Sequence, residues 1–154
     1  MKSRSAFASV LACLIAIVMS ASGSYAGDAA KPHRIAIHID QNDPAVMGII
    51  LNNISNVTDY YHGKGEDVQI EVVAHGPGLN MLREDKSPVK DRIKQVAERS
   101  FPSKVSFSAC GNTKTSMEKA EGHAISLIPQ ASVVPAGVVR LTELQEQGWS
   151  YIRP

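Results

Sequence analysis

Short apolar segments that alternate with polar residues are separated along this chain by longer segments with helical spacing. In residues 34–40, for example, Ile35, Ile37 and Ile39 fall on one face of an extended chain, which is typical of a β-strand. Strands separated by helices favour parallel pairing, so this order predicts a mostly parallel sheet covered on both faces. The predicted strands are residues 34–40, 67–75, 104–109, 131–134 and 149–152.

The predicted helices have recognisable starts and buried stripes. The first should begin at Asp43-Pro44, because aspartate caps helices and proline fits the first helical position. Thr115 and Glu118 have the spacing of a capping box in a later helix. In the last helix, Val138, Leu141 and Leu144 are expected to face inward. The predicted helices are residues 44–61, 79–83 and 137–147, one that follows Ser87-Pro88, and one through Met117 and Ala120.

The first 26 residues have the layout of a secretory signal peptide. Lys2 and Arg4 precede an apolar run, and small residues then lead to cleavage near Ala26-Gly27. We therefore expect an exported, periplasmic protein. The run is too short for a comfortable membrane span and no second one follows it, so no membrane anchor is expected in the mature chain. The expected organisation is a signal peptide over residues 1–26, a flexible leader over residues 27–33 and one α/β domain over residues 34–154.

The charge balance of the mature chain argues against two classes of partner. Residues 1–26 carry two basic side chains and no acidic one, so 14 basic and 15 acidic residues remain after cleavage. A nearly neutral chain without a basic run gives no electrostatic reason to bind nucleic acid or an anionic membrane. We expect neither as a partner.

Cysteine usage singles out one residue. Cys13 leaves with the signal peptide, so Cys110 is the one cysteine of the mature chain. Exported proteins usually pair their cysteines or avoid them, and a leftover thiol therefore indicates a reactive group or intermolecular pairing. A buried cysteine that acts as a small apolar residue is an equally open interpretation.

Polar and flexible residues gather where the predicted strands end. In an open parallel sheet, ligands bind beyond the carboxyl ends of the strands, and all four turns there should open at one edge. Glycine also serves such turns for purely structural reasons. The candidate binding residues in these turns are Asp40, Gly76, Gly111, Asn112, Thr113 and Gly137.

Cys110 has the most specific chemistry in this set. It leaves a strand and precedes a helix, so backbone N–H groups and the positive end of the helix dipole should face its sulfur and lower its pKa. We expect this sulfur to be reachable from solvent. Gly111 would allow the backbone to approach a sulfur-bound group closely. Asn112 and Thr113 are candidates to donate to a persulfide or oxyanion, or to cap the helix and nothing more.

His75 and Asp40 are the remaining candidates, and each has a plain structural alternative. His75 is a candidate base or cationic partner for Cys110, or a hydrogen-bonded turn residue. Asp40 is a candidate ligand-binding residue, or a cap of the first helix. The five histidines show no metal-ligand spacing and one cysteine cannot anchor a structural zinc. We therefore expect no metal and no cofactor.

The chain resembles the DsrE/DsrF-like proteins, in particular the small, often exported branch with a Cys-Gly-Asn-Thr turn. The resemblance implies a three-layer α/β/α sandwich with a five-stranded, mainly parallel sheet, and a homo-oligomer. In the sulfur-relay members a cysteine carries a persulfide between donor and acceptor proteins, a role that only Cys110 can take here. The matching segments are residues 34–40 with Asp43-Pro44, residues 71–78, residues 107–113, residues 134–139 and residues 141–154.

Three functions follow from these residues. The first is a sulfur carrier or sulfurtransferase in which the Cys110 thiolate accepts a sulfane sulfur and passes it on. The second is a non-enzymatic module whose edge, formed by Asp40, His75 and Cys110, binds a small molecule or a partner. The third is a redox sensor in which Cys110 pairs across an oligomer interface. Sulfur handling is the leading hypothesis, and whether the protein is an enzyme stays open.

Overall fold

The structure, a computed structural model, describes residues 32–154, so the predicted signal peptide and most of the predicted leader lie outside the described residues. Five parallel strands form one sheet in the order β4-β3-β2-β1-β5. The predicted α/β/α architecture is confirmed, and the sheet is parallel throughout. The strands are β1 (His33–Ile39), β2 (Val68–Ala74), β3 (Lys104–Cys110), β4 (Ala131–Val134) and β5 (Ser150–Ile152). The helices are α1 (Pro44–His62), a 3₁₀ helix (Gly76–Leu82), α2 (Lys90–Arg99), α3 (Gly111–Glu121) and α4 (Gly137–Glu146).

The two faces of the sheet are covered very differently. One face packs against α1, α2 and the 3₁₀ helix in a large apolar core, which Met117 of α3 also contacts. The other face carries α4 alone, and its apolar contacts are limited to Ala36, Val73, Leu141 and Leu144, with Trp149 at the margin. Below, these are called the core face and the α4 face. Apolar residues on alternate strand positions point to the core face, so the positions between them point to the α4 face.

This asymmetry follows from the order of the strands. The chain moves from β1 through β2 and β3 to β4 with its connecting helices on the core face. To reach β5, beside β1, it then has to return across the whole sheet. A right-handed crossover in that direction places the connecting helix on the opposite face. Helix α4 is that crossover, and it contacts β1, β2 and β3 on its way.

Two details of the predicted helices are corrected. Val138 is 62% exposed, because the inward stripe of α4 runs through Gly137, Leu141 and Leu144, and residue 138 lies about 100° further round the helix. The capping box at Thr115 and Glu118 is wrong, since α3 begins at Gly111, directly after β3. Glu118 instead accepts a hydrogen bond from the backbone N–H of Ile125 at 2.8 Å.

The first helix begins as predicted. The side chain of Asp43 accepts a hydrogen bond from the backbone N–H of Ala45 at 2.8 Å, and Pro44 occupies the first helical position. In residues 32–154, no helix combines the length and the apolar character needed to span a membrane.

Candidate functional site

The carboxyl ends of the five parallel strands lie at one rim of the sheet, and Cys110 occupies the point where the winding of the chain reverses. Helix α3 leaves β3 on the core face, whereas α4 leaves the neighbouring strand β4 on the other face. Two helices that diverge from adjacent strand ends open a crevice between their first turns, which is where ligands bind in open α/β sheets. Cys110 ends β3, beside Val134 of β4, and so lies at this crevice.

The side chain of Cys110 points to the α4 face, beneath the first turn of α4. Phe107 and Ala109 belong to the core on the opposite face, and the strand alternates. A Cβ atom added at Gly137 would lie 3.2 Å from the Cβ of Cys110 and 3.0 Å from the Cβ of His75. The lack of a side chain at Gly137 is therefore what allows the start of α4 to close over both residues.

Groups from the first turns of both helices set the pKa of the Cys110 thiol. Burial raises the pKa of the thiol, but the Thr113 hydroxyl and the backbone N–H groups of Gly137, Thr113 and Asn112 lower it, and the net effect is a pKa below the ordinary value. The Asn112 N–H group also donates to the carbonyl oxygen of Pro135 at 3.2 Å. The predicted amide surroundings of the sulfur are thus present.

The exposure of Cys110 differs from the prediction. The residue is only 6% exposed, because the first turn of α4 covers it, and the expectation of a readily solvent-reachable thiol is wrong. The sulfur is nevertheless not part of either apolar core. Peptide N–H groups and the Thr113 hydroxyl hold its pKa below the ordinary value, whereas apolar surroundings alone would raise the pKa of an inert core cysteine.

His75 is the direct neighbour of Cys110 across the sheet. Ala74 pairs with Ala109 in the β2–β3 register, so the next residues of the two strands, His75 and Cys110, follow side by side on the α4 face. A Cβ atom added at Gly137 would be close to the Cβ atoms of both residues. The structure therefore brings together the two residues that the sequence proposed as catalytic.

His38, which the sequence analysis did not single out, completes this row. Its Nε2 atom lies 2.7 Å from the Nε2 atom of His75, and its Nδ1 atom lies 2.7 Å from the hydroxyl of Tyr151. Burial is the main cause that lowers the pKa of His38. The charges of His75 and Arg153 lower it as well, and Asp40 opposes them. Alternation in β1 could have revealed His38, since it faces away from Ile37 and Ile39 and lies two residues from the strand end.

Asp40 lies at the margin of this row and does not cap the first helix. Its carboxylate accepts hydrogen bonds of 2.8 and 2.9 Å from the guanidinium of Arg153. Burial raises the pKa of Asp40, but the hydrogen bonds and charge of Arg153 lower it more, and the net pKa is below the ordinary value. Asp40 is therefore an ionised group that faces the two histidines without a direct contact to Cys110.

The remaining candidate residues divide into two groups. The N–H of Gly76 donates to the Thr113 hydroxyl at 3.0 Å, so Gly76 and Thr113 both hold the donors around the sulfur. Gly111 instead packs against backbone, where an added Cβ would lie 3.1 Å from the carbonyl oxygen of Val134. The side chain of Asn112 is exposed. Gly111 thus fits the β3–α3 turn against β4, and the expectation that it lets the backbone approach a sulfur-bound group closely stays a prediction.

A second polar feature lies further back on the α4 face. The carboxylate of Glu71, on β2, accepts hydrogen bonds from the Arg140 guanidinium at 2.8 and 2.7 Å and from the Ser108 hydroxyl at 2.7 Å. Burial raises the pKa of Glu71, but these donors lower it further, so the group is ionised. A cavity of about 450 Å³ opens beside this pair, between the sheet and α4. Its polar lining is Glu71, Lys104, Ser106, Ser108, Ser132, Arg140 and Glu143.

No cluster of three or more metal-binding side chains is found among residues 32–154. His38 and His75 meet nitrogen to nitrogen at 2.7 Å, a contact that contains a proton and leaves no space for an ion between them. The described part of the rim therefore presents a thiol and a pair of imidazoles, together with amide and hydroxyl donors. That combination serves proton transfer and nucleophilic chemistry at sulfur.

A solved structure of a protein of unknown function, MTH1491 from Methanobacterium thermoautotrophicum, has the same fold. It aligns with a TM-score of 0.66 at 32% sequence identity, over 79% of this chain and 99% of that one. The chain belongs to the MTH1491 family. No family model and no curated protein matches it. Membership of the MTH1491 family establishes the fold and carries no activity with it, so function has to be argued from the site itself.

Proposed function

We propose that this protein handles sulfane sulfur, with Cys110 as the atom that accepts it and passes it on. The observation that carries the proposal is the position of Cys110 between the first turns of α3 and α4, where amides of both helices and the Thr113 hydroxyl lower the pKa of its thiol. Such donors favour the thiolate, which is the nucleophilic form of cysteine. The resemblance to the DsrE/DsrF-like proteins supports the same chemistry.

The proposed step is a displacement at sulfur. The Cys110 thiolate attacks the terminal sulfur of a donor persulfide, R–S–SH, and forms a new S–S bond. The donor S–S bond breaks and its electron pair leaves with R–S⁻, which takes up a proton. Cys110 becomes a persulfide, and the sulfane sulfur keeps its oxidation level, so no external oxidant or reductant is needed. Release to an acceptor thiolate is the same displacement in the opposite sense.

The same donors suit the product of this step. A persulfide is more acidic than a thiol, and its terminal sulfur carries negative charge that amides and hydroxyls stabilise in the same way. Because Cys110 is only 6% exposed, a donor has to present a narrow group, such as a terminal sulfur, or the first turn of α4 has to move. A bulky alkylating reagent should accordingly react more slowly than a small one.

The proposal also covers where the protein acts and with what. We place it outside the cytoplasm, as the signal-like residues 1–26 suggest, with a donor or acceptor protein as its partner. Self-association is supported by the side chains of Val133, Val138 and Val139, each more than half exposed on β4 and α4. Sedimentation of the protein with Val138→Asp and Val139→Asp tests this part, and an unchanged size would contradict it.

The test of the central proposal is mass spectrometry on the peptide that contains Cys110. After exposure of the full chain to glutathione persulfide, this peptide should gain one sulfur atom, and a reductant should remove it. The Cys110→Ser protein should gain none there, and a Ser132→Ala protein, changed on the neighbouring strand, should behave as the wild type. If Cys110 stays unmodified in the folded wild-type protein while an unfolded control reacts, sulfur handling is ruled out.

A binding module is the second candidate, and the cavity beside Glu71 and Arg140 favours it. A volume of about 450 Å³ suits a small molecule, and its lining mixes hydroxyls with charged and apolar side chains. Binding there predicts a rise in melting temperature on addition of a ligand, and that rise should survive Cys110→Ser but not Ser108→Ala with Arg140→Met. A redox sensor is less favoured, since a thiol that is 6% exposed cannot reach a partner sulfur without local opening.

A further inference from the structure

The contact between His38 and His75 restricts where the site can hold protons. Two Nε2 atoms at 2.7 Å are joined by a single hydrogen, so one imidazole donates and the other accepts. The remaining nitrogen of His38 is bonded to the Tyr151 hydroxyl, which can both donate and accept. Among residues 32–154, no hydrogen bond involves the Nδ1 atom of His75, so it is the one ring nitrogen of the pair without a partner there.

These bonds allow two neutral arrangements and one cationic arrangement. If Tyr151 donates to His38, then His38 donates to His75, and Nδ1 of His75 carries a proton. If His38 donates to Tyr151, then His75 donates to His38, and Nδ1 of His75 is a bare acceptor. In the cation, both Nδ1 atoms carry protons and one hydrogen still joins the rings. A second hydrogen between the rings would place two N–H groups against each other, so the 2.7 Å contact holds a single hydrogen.

Charged and titratable groups face the pair at both ends. The charged or titratable groups that face it are Asp40 and Arg153 at one end, Tyr151 beside His38, and Cys110 beside His75. Helix α4 covers His75 with Gly137, which brings no charge. His38 is 9% exposed, and its two hydrogen bonds satisfy both of its ring nitrogens, so it cannot itself meet a substrate.

We infer that His38 and Tyr151 are positioning residues that make Nδ1 of His75 the proton donor to the thiolate leaving group when sulfur is transferred to Cys110. The inference rests on the proposed function. In the balanced step, the Cys110 thiolate takes the terminal sulfur of R–S–SH, and R–S⁻ leaves with the electron pair of the broken S–S bond. Nδ1–H of the cationic pair then protonates R–S⁻. The pair that remains is neutral, with His75 donating through Nε2 to His38 and His38 donating to Tyr151.

Two reactions of Cys110 separate this role from simple nucleophilicity. Alkylation by iodoacetamide needs only the thiolate, because iodide leaves without a proton. Sulfur transfer from glutathione persulfide needs the thiolate and a donor for the departing thiolate. A group that protonates the leaving thiolate should therefore affect the second reaction and not the first.

The experiment compares both rates over a range of pH for the wild type, Tyr151→Phe, His38→Leu, His38→Gln and the control Tyr60→Phe, an exposed residue of α1. Mass spectrometry of the Cys110 peptide gives each rate. We expect Tyr151→Phe and His38→Leu to slow sulfur transfer at least about tenfold, at the low end of general acid effects, and to shift its alkaline limb. Alkylation should change less than about twofold, and His38→Gln, which keeps a hydrogen-bonding group beside His75, should recover part of the loss.

The outcomes distinguish this inference from the function on which it rests. If the wild-type protein is alkylated but gains no sulfur, the proposed function fails and the inference with it. If the wild type gains sulfur while Tyr151→Phe and His38→Leu keep its rate and pH profile, only the inference is overturned. Equal losses in both reactions would show a merely structural role for the two residues, and would also overturn it.

Discussion

Arg140 of α4 holds the carboxylate of Glu71, on the central strand β2, through two hydrogen bonds of 2.8 and 2.7 Å. This ion pair ties the single helix of the α4 face to the sheet, at a position where apolar contacts are few. Glu71 is 5% exposed, so its charge depends on Arg140 and Ser108 for stabilisation. The pair consequently fixes the layer that also covers Cys110 and His75.

Arg140→Met should destabilise the protein. It leaves a buried carboxylate with one hydroxyl donor, and we expect a loss of about 2–3 kcal/mol, below the cost of breaking a fully buried pair because Arg140 is partly exposed. Urea denaturation measures this loss. The double variant Glu71→Gln with Arg140→Met removes the stranded charge as well, and should regain part of the stability. If the double variant loses the sum of the stabilities that Arg140→Met and Glu71→Gln each lose alone, this account is contradicted.

The ion pair also predicts how stability depends on pH. The pKa of Glu71 is lowered in the folded protein from its ordinary value of 4.5, so the folded state holds its proton less tightly than the unfolded state does. Its contribution is therefore complete above about pH 4.5 and is lost as the pH falls through the lower folded pKa. Denaturation at a series of pH values should show a smaller acid-induced loss for the double variant than for the wild type. Equal losses of stability in the two proteins would mean that carboxylates other than Glu71 determine the sensitivity to acid.

Gly137→Ala should disturb both the fold and the thiol. The new Cβ would come within 3.0 Å of His75 and 3.2 Å of Cys110, so the start of α4 has to move away. We expect a loss of about 1–3 kcal/mol, typical of overpacking, and a higher pKa of Cys110 because the Gly137 amide moves with the helix.

Gly48→Ala is the matched control for this variant. A Cβ at Gly48, inside α1, meets only the flexible end of Arg92 at 3.5 Å, and alanine favours a helix interior by up to about 1 kcal/mol. Urea denaturation and the pH profile of alkylation are the measurements. A Gly137→Ala protein as stable as Gly48→Ala would show that the contact above Cys110 is looser than described.

Thr113→Val should raise the pKa of the Cys110 thiol. It removes the hydroxyl that helps to lower the pKa of the thiol, so a smaller fraction of Cys110 is thiolate at neutral pH and alkylation there should slow, by at most about tenfold. The pH dependence of alkylation measures this change. Thr113→Ser should restore the wild-type profile, and Thr115→Val, an exposed position on the same helix, should leave it unchanged. An unaltered profile in Thr113→Val would assign the lowered pKa to the amides alone.

Much of the architecture could be predicted from the sequence, because strand alternation and helix caps are local signals. Asp43 and Pro44 are one case, since a cap needs only neighbouring residues. Val138 is the opposite case. Which side of α4 faces the sheet depends on how tightly the helix start packs over Cys110 and His75, and this contact joins residues far apart in the chain.

The candidate site was predicted in part for the same reason. Cys110 and His75 follow strand ends, and a parallel sheet brings strand ends to one edge. His38 and Tyr151 instead lie one residue before the ends of β1 and β5. Their contact depends on the pairing of β5 with β1, the longest-range connection in the fold. The burial of Cys110 also depends on the position of α4 over the rim, which no local sequence pattern could predict.

The uneven covering of the sheet means that the molecule should not open as one unit. Most apolar burial lies on the core face, whereas α4 and the three-residue strand β5 have few buried neighbours. Their amide hydrogens should therefore exchange with deuterium through local fluctuations of low free energy, well before those of β1, β2 and β3. Fluctuations of the first turn of α4 also uncover the thiol, so the rate at which a buried Cys110 meets large reagents should follow the exchange rate of that turn.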